Sequence, residues 1–208
     1  TREAGLSCIV MTDGDEALGK RIRDRILAEA WENRDAYTMT PEPLSVSVAH
    51  AKSLEGGPWL LLDVADTCNS GGTLDSVSLL REILDQGMSD VAAAPLCDPV
   101  AVQEMLAAGV GSEIEIELGE KVPTPSIAGE KAPLRLKGRV AATHDGDITV
   151  QGPVFTGTKL NLGATVLFET DQLQIVVTTN RAEPYDPGIF KCVGVNPEQK
   201  RYIVLKSR

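Results

Sequence analysis

The sequence is poor in the residues that usually grip metals or attack substrates. Its 208 residues include two histidines, His50 and His144, and four cysteines, Cys8, Cys68, Cys97 and Cys192. A metal centre needs several unprotonated donors converging at recognisable spacing. No His-Glu-x-x-His and no paired histidines beside a carboxylate occur, so a self-contained metal site is not expected. The thiols are too scattered for a zinc finger and too sparse for a secreted disulfide scaffold, and they read as reduced. Positive charge is also short: 20 Lys and Arg stand against 30 Asp and Glu, a net charge of −10. That field repels phosphate backbones, and nucleic acid is excluded as an expected partner. No apolar run approaches the roughly 20 residues that span a bilayer, so no membrane partner is expected. The chain opens at Thr1 rather than at an initiator Met, without a charged-then-apolar leader. A piece of a longer, cytoplasmic polypeptide is the expectation.

What is present is the composition of a folded protein, 42% hydrophobic and 24% charged, on a chain long enough for one large domain or one with a smaller attached unit. Leu6 to Met11 reads as a buried strand, followed by a Thr12-Asp13-Gly14-Asp15 turn. From Glu16 to about Tyr37, Leu18, Ile22, Ile26, Leu27, Ala30 and Trp31 recur at helical spacing. Pro41-Glu42-Pro43 interrupts regular structure, and a domain boundary is placed there. A helix over Leu44 to Leu54, with Ser45 as its cap, leads to Trp59–Val64, an apolar run expected to be a central parallel strand. A glycine-containing loop, Ala65 to Thr73, precedes a helix from Leu74 to Gln86. Val91 to Leu96 and a helix opened by Asp98-Pro99 form a second β-α unit, expected beside the first. Glu113–Leu118 then alternates strictly, and similar stretches follow near Leu134–Val140, Ile148–Val150, Thr165–Phe168 and Gln174–Thr178. Pro184 to Val195 is turn-rich, and Tyr202–Leu205 is a last strand. The fold class expected is mixed α/β: short parallel β-α units followed by a mostly antiparallel sheet.

The loop after the first apolar strand is the most unusual stretch. Glycines let backbone amides approach a ligand, and a following helix terminus offers unpaired N–H groups. In open α/β sheets, ligands bind beyond the carboxyl ends of the strands, where Asp63, Asp66, Asn69, Gly71, Gly72 and Asp75 would stand. The loop lacks the Lys-Ser/Thr ending of a phosphate loop and the G-x-G-x-x-G spacing, and its aspartates disfavour bare phosphate. It reads either as a pocket wall or as a turn and helix cap. Cys68 has no histidine within sequence reach and has carboxylates nearby, a poor setting for a nucleophile. Asp98 reads first as an N-cap. Arg181, after the Gln174–Thr178 strand, can clamp a carboxylate or sit in a surface ion pair.

Several motifs now stand in order: Leu62-Asp63-Val64-Ala65-Asp66, Gly71-Gly72, Asp75-Ser76, Leu96-Cys97-Asp98-Pro99-Val100 and Gly109-Val110-Gly111. Beyond them come Thr179-Asn180-Arg181, Tyr185-Asp186-Pro187, Phe190, Gly194-Val195-Asn196-Pro197 and Lys200 to Ser207. Together they resemble the C-terminal domain of the microcystinase C (MlrC) family of zinc-dependent metallopeptidase-like proteins, over about Leu44 to Arg208. The family loop usually reads Asp-Asn-Pro-Gly-Gly-Gly, where this chain has Asp66-Thr67-Cys68-Asn69-Ser70-Gly71-Gly72. The resemblance implies that residues 1–40 are the tail of a preceding metal-bearing domain and 41–208 the C-terminal domain. It further implies a parent that holds zinc elsewhere and hydrolyses peptide or amide bonds, with no zinc in this piece. Asp63, Asp66, Asn69, Gly71, Gly72 and Arg181 are expected to wall the substrate cleft, and no catalytic residue is expected. The expected partners are the metal domain and a peptide or amide substrate. The rival reading is a noncatalytic module that binds a small ligand or self-associates as a homo-oligomer.

Overall fold

The computed structural model describes residues 5–38, 40–123 and 132–207. The chain divides into two compact units, Thr1–Glu42 and Pro43–Arg208. In the first, α1 spans Glu16–Glu32, and Asp15 caps it by accepting from the Leu18 amide at 2.8 Å. A 3-10 turn, Arg34–Tyr37, follows, so the single helix expected to reach Tyr37 ends earlier, at Glu32, with Asn33 as its C-cap. The strand expected over Leu6–Met11 is not formed. A strand needs a neighbour to satisfy its backbone, and this unit contains none among the described residues; Ile9 and Met11 are 92% and 93% exposed. No residue of α1 is buried, although its apolar stripe is present.

The second unit is a mixed α/β structure built on one seven-stranded sheet. Its strands are β1 (Trp59–Leu62), β2 (Val91–Cys97), β3 (Glu113–Leu118), β4 (Leu134–His144), β7 (Thr165–Glu169), β8 (Leu173–Thr178) and β9 (Tyr202–Leu205). The order across the sheet is β1-β9-β2-β8-β7-β4-β3. The pairs β1/β9, β9/β2 and β2/β8 are parallel, and β8/β7, β7/β4 and β4/β3 are antiparallel. The short strands β5 (Asp147–Thr149) and β6 (Lys159–Asn161) form a separate hairpin, and β6 has too little apolar alternation to be expected from sequence.

Two expectations about the parallel half are corrected. The Trp59–Leu62 strand lies at the sheet edge, not its centre, with Leu60 and Leu62 exposed. The two β-α units are also not neighbours, because the last strand of the chain, β9, inserts between β1 and β2. The interior strand β2, between β9 and β8, is buried at every position. Its alternate residues feed two cores, as a parallel strand covered on both faces must. Val91, Ala93 and Leu96 pack with residues of α2 (Leu44–Ser53), α3 (Ser78–Asp85) and α4 (Pro99–Ala108). Ala92 and Ala94 pack with Ile189, Phe190 and Val193, on and after the short helix α5 (Gly188–Lys191).

Helix starts depart from expectation where backbone bonding is diverted. Pro43, not Ser45, occupies the cap position of α2, and no side chain caps it there. The helix expected from Leu74 begins only at Ser78, because the Leu74 and Ser76 amides are taken by the Asp66 carboxylate described below. Asp98 caps α4 as expected, accepting from the Ala101 amide at 3.0 Å. On the far edge, Glu113, Glu115 and Glu117 of β3 face Arg139, Lys137 and Arg135 of β4, so the alternating glutamates are a cross-strand charge ladder.

Gly138 in β4 packs where a side chain has no room: a Cβ there would lie 2.2 Å from the Glu169 carbonyl oxygen and 3.0 Å from the Phe168 ring. Overpacking of this kind costs about 1–3 kcal/mol. Gly138→Ala is expected to lower the urea unfolding midpoint by that margin with little change in slope. An unchanged midpoint would show that β4 and β7 separate more easily than this packing implies.

Candidate functional site

The parallel strands β1, β9, β2 and β8 all end on the same side of the sheet. Segments 63–76, 97–98, 179–186 and 206–207, far apart in sequence, therefore meet beyond their carboxyl ends, the position where open α/β sheets place ligands. The loop from Ala65 to Thr73 folds over this end. Cys68–Ser70 forms one 3-10 turn, and Gly71 closes it with φ +88°, a left-handed conformation that costs glycine little. Gly72 is needed for space: a Cβ would stand 2.7 Å from the Thr67 carbonyl oxygen and 2.8 Å from Asp66 Oδ1.

Lys206, one residue past β9, holds this loop from beneath. Its ammonium is buried and donates to Asp63 Oδ2 at 2.8 Å, to Asp66 Oδ2 at 3.0 Å and to the Ser76 carbonyl at 2.6 Å. Asp66 also accepts from the amides of Leu74 at 2.8 Å and Ser76 at 2.9 Å. Burial alone would raise the Asp66 pKa, but the Lys206 charge and these amides outweigh it and hold the carboxyl below the usual aspartate range. The aspartates singled out in the sequence are thus brought together, facing inward on a lysine that sequence reasoning did not select. The one available signal was a charged residue closing the wholly apolar strand Tyr202–Leu205.

A second buried carboxylate, Glu183, organises the other end of the loop. Its Oε2 accepts from Thr67 Oγ1 at 2.8 Å, Cys68 Sγ at 3.4 Å and the Asn69 amide at 3.4 Å, and its Oε1 from Ser207 Oγ at 2.6 Å. Burial raises its pKa, yet these donors leave it below the ordinary glutamate value. Burial, the hydrogen bond to Glu183 and its negative charge together push the Cys68 thiol up to about 11. It stays protonated at neutral pH, which argues against a Cys68 nucleophile. Deeper in, Asp75 accepts from the Lys121 and Val122 amides at 2.9 and 2.8 Å, and Asp98 from the Gly119 amide at 2.9 Å and Lys121 Nζ at 2.7 Å. Asp98 therefore fixes the end of β3 as well as capping α4.

Three of the expected residues, Asn69, Gly71 and Arg181, reach the surface, two of them with polar side chains. Asn69 is exposed and its amide donates to the Tyr185 hydroxyl. Arg181 is exposed, and its Nε donates to the Thr73 carbonyl at 3.1 Å, tying β8 to the far end of the loop. Glu183, Lys206, Ser207 and Tyr185 were missed as site residues because their partners lie more than 20 positions away in sequence.

These residues do not fit a zinc centre. Among the described residues, no group of three His, Cys, Asp or Glu side chains is disposed to hold a metal ion. Asp63 and Asp66 already face an ammonium, Glu183 and Asp75 already accept from several donors, and His50 and His144 stand on separate elements, α2 and β4. No helix among the described residues is long and apolar enough to cross a membrane.

Comparison with known proteins adds three findings. Residues 61–208 match the family described as MlrC C-terminus. Over 157 residues the chain is 31% identical to microcystinase C of a Sphingomonas species, covering 76% of this chain and 29% of that protein. The crystal structure of a candidate metallopeptidase from Mesorhizobium sp. BNC1 superposes with a TM-score of 0.78 at 22% identity, covering 91% of this chain and 37% of that one. The last likeness is one of fold, and this chain spans less than a third of the microcystinase C it matches.

Removing Lys206 would leave two carboxylates without their buried counter-charge. Lys206→Met is expected to destabilise the protein by roughly 3–5 kcal/mol in urea unfolding, and adding Asp66→Asn to recover part of that loss. Because the folded Asp66 pKa lies below its ordinary 3.8, its contribution is complete above that value and disappears as pH falls through the folded pKa. Asp66→Asn is therefore expected to flatten the stability profile below about pH 4. An acid limb as steep as the wild type's would show that this carboxylate is not what titrates.

Proposed function

The chain belongs to the MlrC C-terminus family, and from that premise we propose that it is the accessory C-terminal part of a microcystinase C-like, zinc-dependent peptidase or amide hydrolase. Its loop end forms one wall of the substrate cleft. The observation that carries this reading is convergence: the glycine loop, the Asn180-Arg181 strand end and the Lys206-Ser207 end meet at one rim of the parallel strands. Structural carboxylates are turned inward there, while an amide and a guanidinium remain at the surface.

In this reading each residue has a distinct task. Asp63 and Asp66, gripped by Lys206, set the path of the loop. Gly71 and Gly72 allow the tight turn and the close backbone approach. Asn69 meets a substrate carbonyl or amide, and Arg181 a carboxylate in two-point fashion. None of them is a catalytic residue. Zinc, which would polarise the scissile carbonyl when bound, belongs to the remainder of the longer polypeptide.

Residues 1–40 are read as the tail of that preceding, metal-bearing domain, with 41–208 as the accessory domain. The support is that Leu6, Ile9, Met11 and the apolar stripe of α1 lie unburied within their own unit, as parts of a β-α piece packing on something else would. The free cysteines accord with a reducing, cytoplasmic setting.

The test uses the longer protein that carries this chain. Asn69→Ala and Arg181→Ala are each expected to lower kcat/KM for peptide or amide hydrolysis about tenfold or more, with metal content and unfolding midpoint unchanged. Full activity in the double variant would remove the cleft-wall assignment. Metal-independent binding of a small ligand or self-association, without any hydrolysis by the longer protein, would favour the noncatalytic module.

A further inference from the structure

We propose that Phe155 and Tyr185 form an aromatic ledge beside the glycine loop, which receives an aromatic or large apolar side chain of the substrate. This deepens the proposed function and rests on it.

The two rings stand edge to face, with centroids 5.3 Å apart and planes at 65°. Such a pair can offer a ring face and an edge to a third apolar group. Neither ring is part of a core: Phe155 is 58% exposed and Tyr185 42%. In a chain whose aromatic content is only 4%, exposing a contiguous pair calls for a reason.

The surrounding structure holds the pair in place against physical preference. Phe155 has φ +60°, a left-handed conformation that costs a bulky residue on the order of 1–3 kcal/mol unless its surroundings enforce it. The enforcement is visible. Gly157 N donates to the Val150 carbonyl at 2.8 Å and Thr158 N to the Phe155 carbonyl at 3.0 Å, closing the turn. Asp186, 5% exposed, accepts from the amides of Gln151 at 2.8 Å, Gly152 at 2.6 Å and Gly188 at 2.6 Å. One buried carboxylate thus clamps the base of the Phe155 loop onto the turn that carries Tyr185.

The ledge is also continuous with the candidate site. The Tyr185 hydroxyl accepts from the Asn69 side-chain Nδ2, and Tyr185 N donates to the Glu183 carbonyl at 2.9 Å, while the Glu183 carboxylate holds Thr67, Cys68 and the Asn69 backbone amide. Ring faces, a carboxamide and, at the other end of the same loop, the Arg181 guanidinium are complementary to a peptide with an aromatic side chain and a nearby carbonyl or carboxylate.

The experiment compares two peptides, Gly-Phe-Gly-amide and Gly-Ala-Gly-amide, by calorimetric titration and by hydrolysis, using the longer protein. The wild type is expected to bind the Phe peptide about tenfold tighter. Phe155→Ala should abolish most of that preference, while Phe155→Trp, which keeps an aromatic ring, should preserve it. Equal affinity for both peptides, or a preference that survives Phe155→Ala, overturns the ledge; the second result would follow if another part of the polypeptide covers these rings. If neither peptide is hydrolysed but the Phe155-dependent preference remains, the ledge stands and the peptidase reading falls.

Discussion

The organisation of this end of the sheet depends on one buried ammonium. Lys206 stands where β9 leaves the sheet, between β1 and β2, and its donors go to Asp63, Asp66 and the Ser76 carbonyl. A charge of that kind, taken out of water, is tolerable only if fully paired, and each of its partners is then committed as well. The consequence is geometric more than energetic. With Asp66 bound to both Lys206 and the amides of Leu74 and Ser76, the chain cannot run straight from β1 into a helix, and α3 is delayed to Ser78. The interaction fixes the shape of the loop even if its net contribution to stability is small.

The same logic explains how an acidic chain assembles so many carboxylates in one place. Asp63, Asp66, Asp75, Asp98 and Glu183 would repel one another if left to water alone, but each accepts from amides, hydroxyls or a lysine. Lys206 and Lys121 supply the opposing charge. What faces outward is then a surface of backbone, an asparagine, an arginine and aromatic rings. The Cys68 thiol beside this surface is held in its protonated form by burial and its glutamate neighbour.

The two units differ in how their apolar residues are used. In Pro43–Arg208 the middle of the sheet is covered on both faces, and β2 has no exposed residue. In Thr1–Glu42 the amphipathic pattern is as clear in sequence, yet α1 buries nothing within the described unit. Amphipathicity states that a face should be covered; it does not say by what.

The mixed α/β class, the alternating strands of the second half, the Asp98 cap and the family resemblance were all legible from residues in order, because each depends on neighbours a few positions apart. Turn glycines, cap-plus-proline pairs and period-two alternation are local rules. The placement of strands was not legible. An apolar Trp59–Leu62 run reads equally well as central or edge, and nothing in Tyr202–Leu205 says that it will enter between strands made more than 100 residues earlier. The candidate loop could be found by its glycines and aspartates, but the direction those aspartates face could not, since their partner Lys206 is separated from them by 143 and 140 positions. Sequence determined most of the elements of the second unit and which loop is unusual. The tertiary structure alone decided which strand ends meet, and so which charged groups are consumed in holding the loop and which remain to meet a ligand, because strand pairing obeys long-range burial and hydrogen-bond satisfaction that no local window contains.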